Sequence, residues 1–222
     1  MNIWFKKIIR RPLRLFSYAR GWLIGINNVD ITDKKLPIVL ECLGVHVKFK
    51  KRKNSKITIN GRLIVDKRGM VGAYASPVIE VLENAELVIN NNVFIGPNVH
   101  IIVGKNGKLI FGEQDDSYTE LTHGSKIVAD KYIKIGSDCL LSWDLLIMDT
   151  STHRINGKIN EQPIEIGNHV WLCARAVIMK GVSIGDNSIV ATGAIVTKNV
   201  AANTVVGGNP AVQLAQNIIW DH

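Results

Sequence analysis

Residues 148 to 153 read Met-Asp-Thr-Ser-Thr-His, and they put a histidine at a point where an otherwise regular chain changes character. A neutral imidazole at the mouth of a loop can take a proton near pH 7, which is the chemistry of a general base. The competing use of His153 is purely structural, as for many lone loop histidines. Asp149, four residues earlier, either fixes the orientation of that imidazole or caps the turn that launches the loop, the simpler use of an aspartate there. His123 and Ser142 stand on neighbouring stretches, from which they either reach the same cleft or serve as ordinary surface groups.

The elements that must position these groups announce themselves by a period of six. Ile166, Leu172, Ile178, Ile184, Val190 and Val196 form one series, and Val170, Ala176, Val182, Ser188 and Ala194 form a second, two positions earlier. A helix repeats at 3.6 and a half-buried strand at 2, so a period of six predicts neither alone but a solenoid with flat six-residue faces. Ile166-Gly167-Asn168 and Ile184-Gly185-Asp186 supply residues that tolerate turns, and these are the corners. Three faces make one coil of about 18 residues.

An apolar-x-apolar strand recurs from Ile57, Leu87, Leu109, Ile133, Ile164 and Val182, and its next term is Val200. The spacing predicts one all-β parallel helix of about six coils over residues 57–210, with loops thrown out between the earlier coils. The longest insertion runs from near Asp149 to near Pro163, and such insertions often mark a solenoid's binding face. Residues 1–56 are expected to form a basic amphipathic segment, and residues 211–222 a C-terminal tail or short helix.

The net charge of +8 is unevenly placed: residues 1 to 70 hold 17 Lys+Arg against 4 Asp+Glu, and the rest hold 10 against 15. In residues 3–26, Trp4, Phe5, Ile8, Leu15, Phe16 and Trp22 are interleaved with Lys6, Lys7, Arg10, Arg11, Arg14 and Arg20, and Pro12 divides the stretch. One or two short amphipathic helices are expected, serving either an anionic membrane surface or as a cap on the open end of the solenoid. The lysine cluster at residues 48–56 holds a single aromatic residue, Phe49, and no recognition module, so nucleic acid is not an expected partner. Cys42, Cys139 and Cys173 read as reduced thiols, and no apolar run reaches the ~18 residues of a membrane span. The expectation is a cytoplasmic chain, with peripheral contact at the inner face of the cell membrane as an option.

Residues 133 to 211 resemble the hexapeptide-repeat acyltransferases, in the branch of maltose and galactoside acetyltransferases and polysaccharide O-acetyltransferases. The matching pieces are Asp149 to His153, Pro163 to Trp171, Lys180 to Asn187, Thr197-Lys198 and Gly208-Asn209-Pro210-Ala211. The resemblance implies a left-handed β-helix, a homotrimer with active sites between subunits, and acetyl-CoA as co-substrate. It also implies that His153 is the catalytic base, removing the proton from an acceptor hydroxyl that attacks the thioester, while a backbone N–H meets the oxyanion. No covalent acyl-enzyme is required of the cysteines.

The same resemblance makes Trp171 a wall of the acceptor and pantetheine cleft, or an aromatic group at a subunit interface. It lays Ala174, Thr192, Thr197 and Lys198 along the cofactor groove, with Lys198 offering a charge to a phosphate. Departures stand at Cys173, where glycine is usual, at Ala191-Thr192, and at Val212 and Ala215, where relatives carry arginines. Three competing readings are a zinc enzyme, a non-catalytic trimerising scaffold, and an N-acyltransferase on an amino-sugar nucleotide. His100, His123, His153 and His169 have no recognisable ligand spacing, so no metal is expected. No Gly-rich βαβ unit is visible for the N-acyltransferase. The favoured reading is O-acetylation of a carbohydrate hydroxyl, in a cell-envelope or capsular glycan or its precursor.

Overall fold

The computed structural model describes residues 12–41, 44–66 and 75–221. Residues 3–11 of the basic segment, and Cys42, lie outside this range. The chain winds into a three-sided parallel β-helix whose sheets hold nine, seven and six strands. In one coil, strand Tyr118–Leu121 of the first sheet is followed by Lys126–Ala129 of the second and Tyr132–Ile135 of the third. Six such triads stack in register. Ile57 pairs with Leu87, Leu87 with Leu109, Leu109 with Ile133 and Ile133 with Ile164, as the apolar-x-apolar spacing predicts. Val200 is the exception: it bridges Ile184, two residues further along than the spacing suggested.

Inside runs an aliphatic core. Ile101, Leu141, Ile147, Leu172, Ile178 and Val190 are all but wholly buried, and the small inward positions Cys139, Val170, Ala176 and Ala194 beside them are fully so. Each large aliphatic side chain taken from water contributes about 1.5–3 kcal/mol. The alternation of large and small lets three faces meet around a narrow axis.

The corners are left-handed turns. Asn54, Asn84, Asn98, Asn106, Asp138, Asp144, Asn187 and Asn203 all sit at φ between 56 and 60°, the region where short polar side chains are tolerated. Their amides stack from coil to coil, as between Asn54 and Asn84 and between Asn84 and Asn106, both at 3.2 Å.

Two expected boundaries move. Strands Ile38–Leu40 and Lys48–Lys51 pair in parallel with the next coil, so the helix begins near residue 38 rather than at 57. Its second strand, Lys-Phe-Lys-Lys, brings only Phe49 toward the core, which is why the pattern is hidden in the sequence. At the other end residues 211–216 are not helical. Ala211–Gln216 is a strand antiparallel to Thr204–Gly208, which covers the edge that the last coil would otherwise leave open.

Helix α1, Pro12–Asn28, begins at the proline, where a missing N–H costs nothing. It lies against the first strand: a Cβ on Gly21 would stand 2.4 Å from the Ile38 carbonyl oxygen. No helix among the described residues is long and apolar enough to cross a membrane.

Candidate active site

The long insertion is an antiparallel hairpin, Thr150–Ile155 with Lys158–Glu161, standing off the end of strand Leu146–Met148. Asp149 anchors its base. The Asp149 carboxylate is fully buried and accepts the backbone N–H groups of Asp130 at 2.8 Å, Lys131 at 2.9 Å and Tyr132 at 2.7 Å. Burial raises its pKa above the usual carboxylate value, against the pull of those three donors. Both oxygens are therefore spent on the turn one coil below, and none of their bonds goes to His153. The imidazole is exposed on the hairpin and makes no hydrogen bond among the described residues.

The residue before it is held in an unusual backbone conformation. Thr152 sits at φ 57°, which is costly for a β-branched residue, and its N–H donates to Thr150 Oγ1 at 2.9 Å. A second tether comes from the coil above, where Lys180 Nζ donates to Ser151 Oγ at 2.8 Å. Lys180 went unassigned in the sequence, although it lies in the quoted Lys-Gly-Val stretch. Thr197 and Lys198 follow Val196, which pairs with Ile178, so they stand one coil above Met179 and Lys180. Both are exposed, and they line a groove of about 320 Å³ with Pro210 and Val212 of the C-terminal hairpin.

The other predicted residues gather at the opposite end of the second sheet. There the corner turns form a ladder in which Gly124 N–H donates to Pro97, Asp144 to His123, Arg175 to Trp143 and Gly193 to Ala174. His123, Trp143, Ala174 and Thr192 are thus successive rungs of one corner. The His123 ring is stacked on Trp143, with centroids 5.9 Å apart and planes 12° from parallel. Trp143 was not singled out in the sequence, and the signal available was a tryptophan at a corner position.

His123 also lines a groove of about 170 Å³ with Phe94, Pro97, Glu120 and Thr122. Thr122 Oγ1 in its wall is buried with no hydrogen-bond partner among the described residues. Ser142 is one residue before Trp143, and its hydroxyl accepts the indole N–H of Trp171 at 3.2 Å.

Trp171 itself lies on the outer face of the first sheet, within 5.8 Å of the Trp220 ring. Trp220 belongs to the tail and stacks on His169; the sequence singled out His169 only as a rejected metal ligand, and Trp220 not at all. Cys139 is fully buried, and its thiol is pushed up to about 12, first by burial; burial also raises Cys173. Neither is a ready nucleophile at neutral pH. Among the described residues no group of three His, Cys, Asp or Glu side chains is placed to hold a metal ion.

One chain therefore brings Ser142, His123, Ala174, Thr192 and Trp171 to one corner. Asp149, His153, Thr197 and Lys198 stand at the other. Five residues lie between Ala174 and Lys180 across the second sheet, a span of at most about 20 Å at the rise of an extended strand.

Residues 163–198 match the bacterial transferase hexapeptide (six repeats) family. The chain is 35% identical over 127 residues to a galactoside O-acetyltransferase of Escherichia coli (strain K12), covering 55% of this chain and 60% of that protein. It is 30% identical over 141 residues to a galactoside O-acetyltransferase of Lactococcus lactis subsp. lactis, covering 60% and 65%. The chain thus spans less than two thirds of the length of these relatives. Among solved structures, the polySia-specific acetyltransferase NeuO superposes with a TM-score of 0.52 at 27% identity, over 88% of this chain and 81% of that one. Repeat, fold and relatives agree that residues 163–198 carry the hexapeptide repeat, and that the chain has the left-handed parallel β-helix fold and is similar to the sugar O-acetyltransferases.

Proposed function

We propose that the chain is an acetyl-CoA-dependent O-acetyltransferase of a sugar hydroxyl, in a cell-envelope or capsular glycan or its precursor, working as a homotrimer with its sites between subunits. The observation that carries this reading is the separation of the two corners. The hairpin that presents His153 and the corner of Ser142, Ala174, Thr192 and Trp171 are too far apart for one small acceptor to touch both within one chain. A second copy laid against the first closes that gap, setting the hairpin of one beside the corner of the other. The relatives support the chemistry, since those reported above are acetyltransferases of galactosides or of polysialic acid.

In this reading His153 Nε2 or Nδ1 takes the proton of the acceptor hydroxyl as its oxygen attacks the thioester carbonyl; the tetrahedral intermediate then collapses with cleavage of the C–S bond, and the departing CoA thiolate takes that proton from the imidazolium. Exposure of the ring on the hairpin leaves it accessible to a hydroxyl from the neighbouring copy's cleft. Asp149 acts one step back, holding the base of the hairpin through three backbone N–H groups. Trp171, tied to Ser142, supplies a flat apolar wall suited to a sugar face or a pantetheine arm. Thr197 and Lys198 suit the phosphate end of acetyl-CoA, because a lysine ammonium at the rim of a partly apolar groove attracts an anion without a fixed geometry.

The test is calorimetric titration of the purified protein with acetyl-CoA, beside Lys198→Ala. Micromolar binding that weakens about tenfold in the variant, the effect of losing one charged contact of ~1.4 kcal/mol, supports the reading. No binding by the wild-type protein overturns it.

A further inference from the structure

Helix α1 is packed the wrong way round for an ordinary surface helix. The side turned to the protein is small: Ser17, Gly21 and Gly25, four residues apart, are all buried. A Cβ on Gly21 would stand 2.4 Å from the Ile38 carbonyl oxygen, and one on Gly25 3.0 Å from Pro37 Cγ, so the helix seats closely on the first coil. The side turned away is large. Leu15 is 52% exposed, Phe16 67%, Trp22 49%, Leu23 50% and Ile26 57%.

At 100° per residue these five side chains, with Ala19 between them, fall on one face opposite the glycines, and that face bears no charge. A surface helix normally buries its apolar stripe, so a contiguous stripe left in water marks an interaction site.

The charge says what kind. Residues 1–28 contain six Lys or Arg and no Asp or Glu. Lys48, Arg52, Lys53 and Lys56, on the coil that the helix caps, are exposed as well. A second copy placed face to face on α1 would bring two such cationic segments together, at an electrostatic penalty. An anionic lipid surface satisfies both features: headgroups meet the cations while the apolar stripe enters the acyl boundary. We infer that α1 is a membrane-surface anchor, its glycine face capping the solenoid and its Leu15, Phe16, Trp22, Leu23 and Ile26 face lying in an anionic bilayer interface. Capping and anchoring are thus done by opposite faces of one helix.

The experiment is co-sedimentation of the full chain with phosphatidylcholine vesicles, with and without about 30% phosphatidylglycerol, across a salt series. The wild-type protein should sediment with the anionic vesicles and be released as salt rises. Phe16→Glu/Leu23→Glu should lose at least tenfold in vesicle affinity while keeping its circular dichroism and melting temperature, since both side chains are exposed. Brominated lipid should quench a tryptophan signal that Trp22→Phe removes. Absence of vesicle binding, equal binding by the double variant, or binding with no Trp22-dependent quenching would each overturn the inference. A change in the double variant's oligomeric mass by light scattering, without vesicle binding by the wild-type protein, would reassign the face to contact between copies.

Discussion

The imidazole of His169 lies against the indole of Trp220, ring centroids 4.0 Å apart, with an acceptor at each of its nitrogens. Nδ1 faces Asp138 Oδ2 at 2.7 Å and Nε2 faces the Trp220 carbonyl oxygen at 3.0 Å. Only the doubly protonated ring can donate to both. Through this pair the tail is held beside Trp171.

That geometry makes the tail pH-sensitive. Burial works against the charged ring, but the Trp220 carbonyl, the Asp138 carboxylate and the nearby Asp221 outweigh it, and the His169 pKa is raised above 6.5. A raised folded-state value means that the clasp's stabilisation is complete below the unfolded value and is lost as pH rises through the folded one. The hydrogen-exchange protection of residues 217–221, taken relative to the intrinsic base-catalysed rate at each pH, should accordingly fall on going from slightly acid to alkaline buffer. Asp138→Asn should move that transition to lower pH, as followed by the His169 ring protons. Protection that does not change across this range would dissociate the tail from His169.

Asp149 is predicted to matter for stability rather than for proton transfer. Asp149→Asn turns one acceptor oxygen into an amide facing backbone donors, so unfolding should become easier by about 1–3 kcal/mol, measured by denaturant titration. The variant's residual turnover should keep the wild-type pH profile. A displaced profile would instead make the carboxylate a partner of His153 during turnover.

What could be read from the sequence, and what could not, follows from which contacts are repeated. Every coil restates the same inward pair, so Ala176 with Ile178 and Ala194 with Val196 were legible without coordinates. The first coil was hidden because Lys48, Lys50 and Lys51 surround its single inward aromatic, Phe49. His153 stood out because it breaks the period. Its surroundings did not, because they depend on how coils stack: the donors to Asp149 lie 17 to 19 residues earlier. Trp220 reaches His169 across 51 residues, through a hairpin where a helix was expected. Nor could any spacing separate the two corners, since that requires knowing that Thr192 and Lys198 end opposite sides of one sheet.

A site shared between copies predicts complementation. His153→Ala and Trp171→Ala chains should each be nearly inactive, yet co-expressed they should recover roughly a quarter of wild-type turnover, the share of random interfaces with both groups intact. Failure to recover any activity from mixed oligomers of confirmed composition would place both residues in a single-chain site.

The most direct measurement is turnover of His153→Ala with acetyl-CoA and a galactoside acceptor, beside acetyl-CoA affinity by calorimetry on the same preparation. Loss of roughly 10²–10⁴-fold in turnover with affinity unchanged is the result expected of a general base. Wild-type turnover in the variant would contradict the account and remove His153 from the reaction.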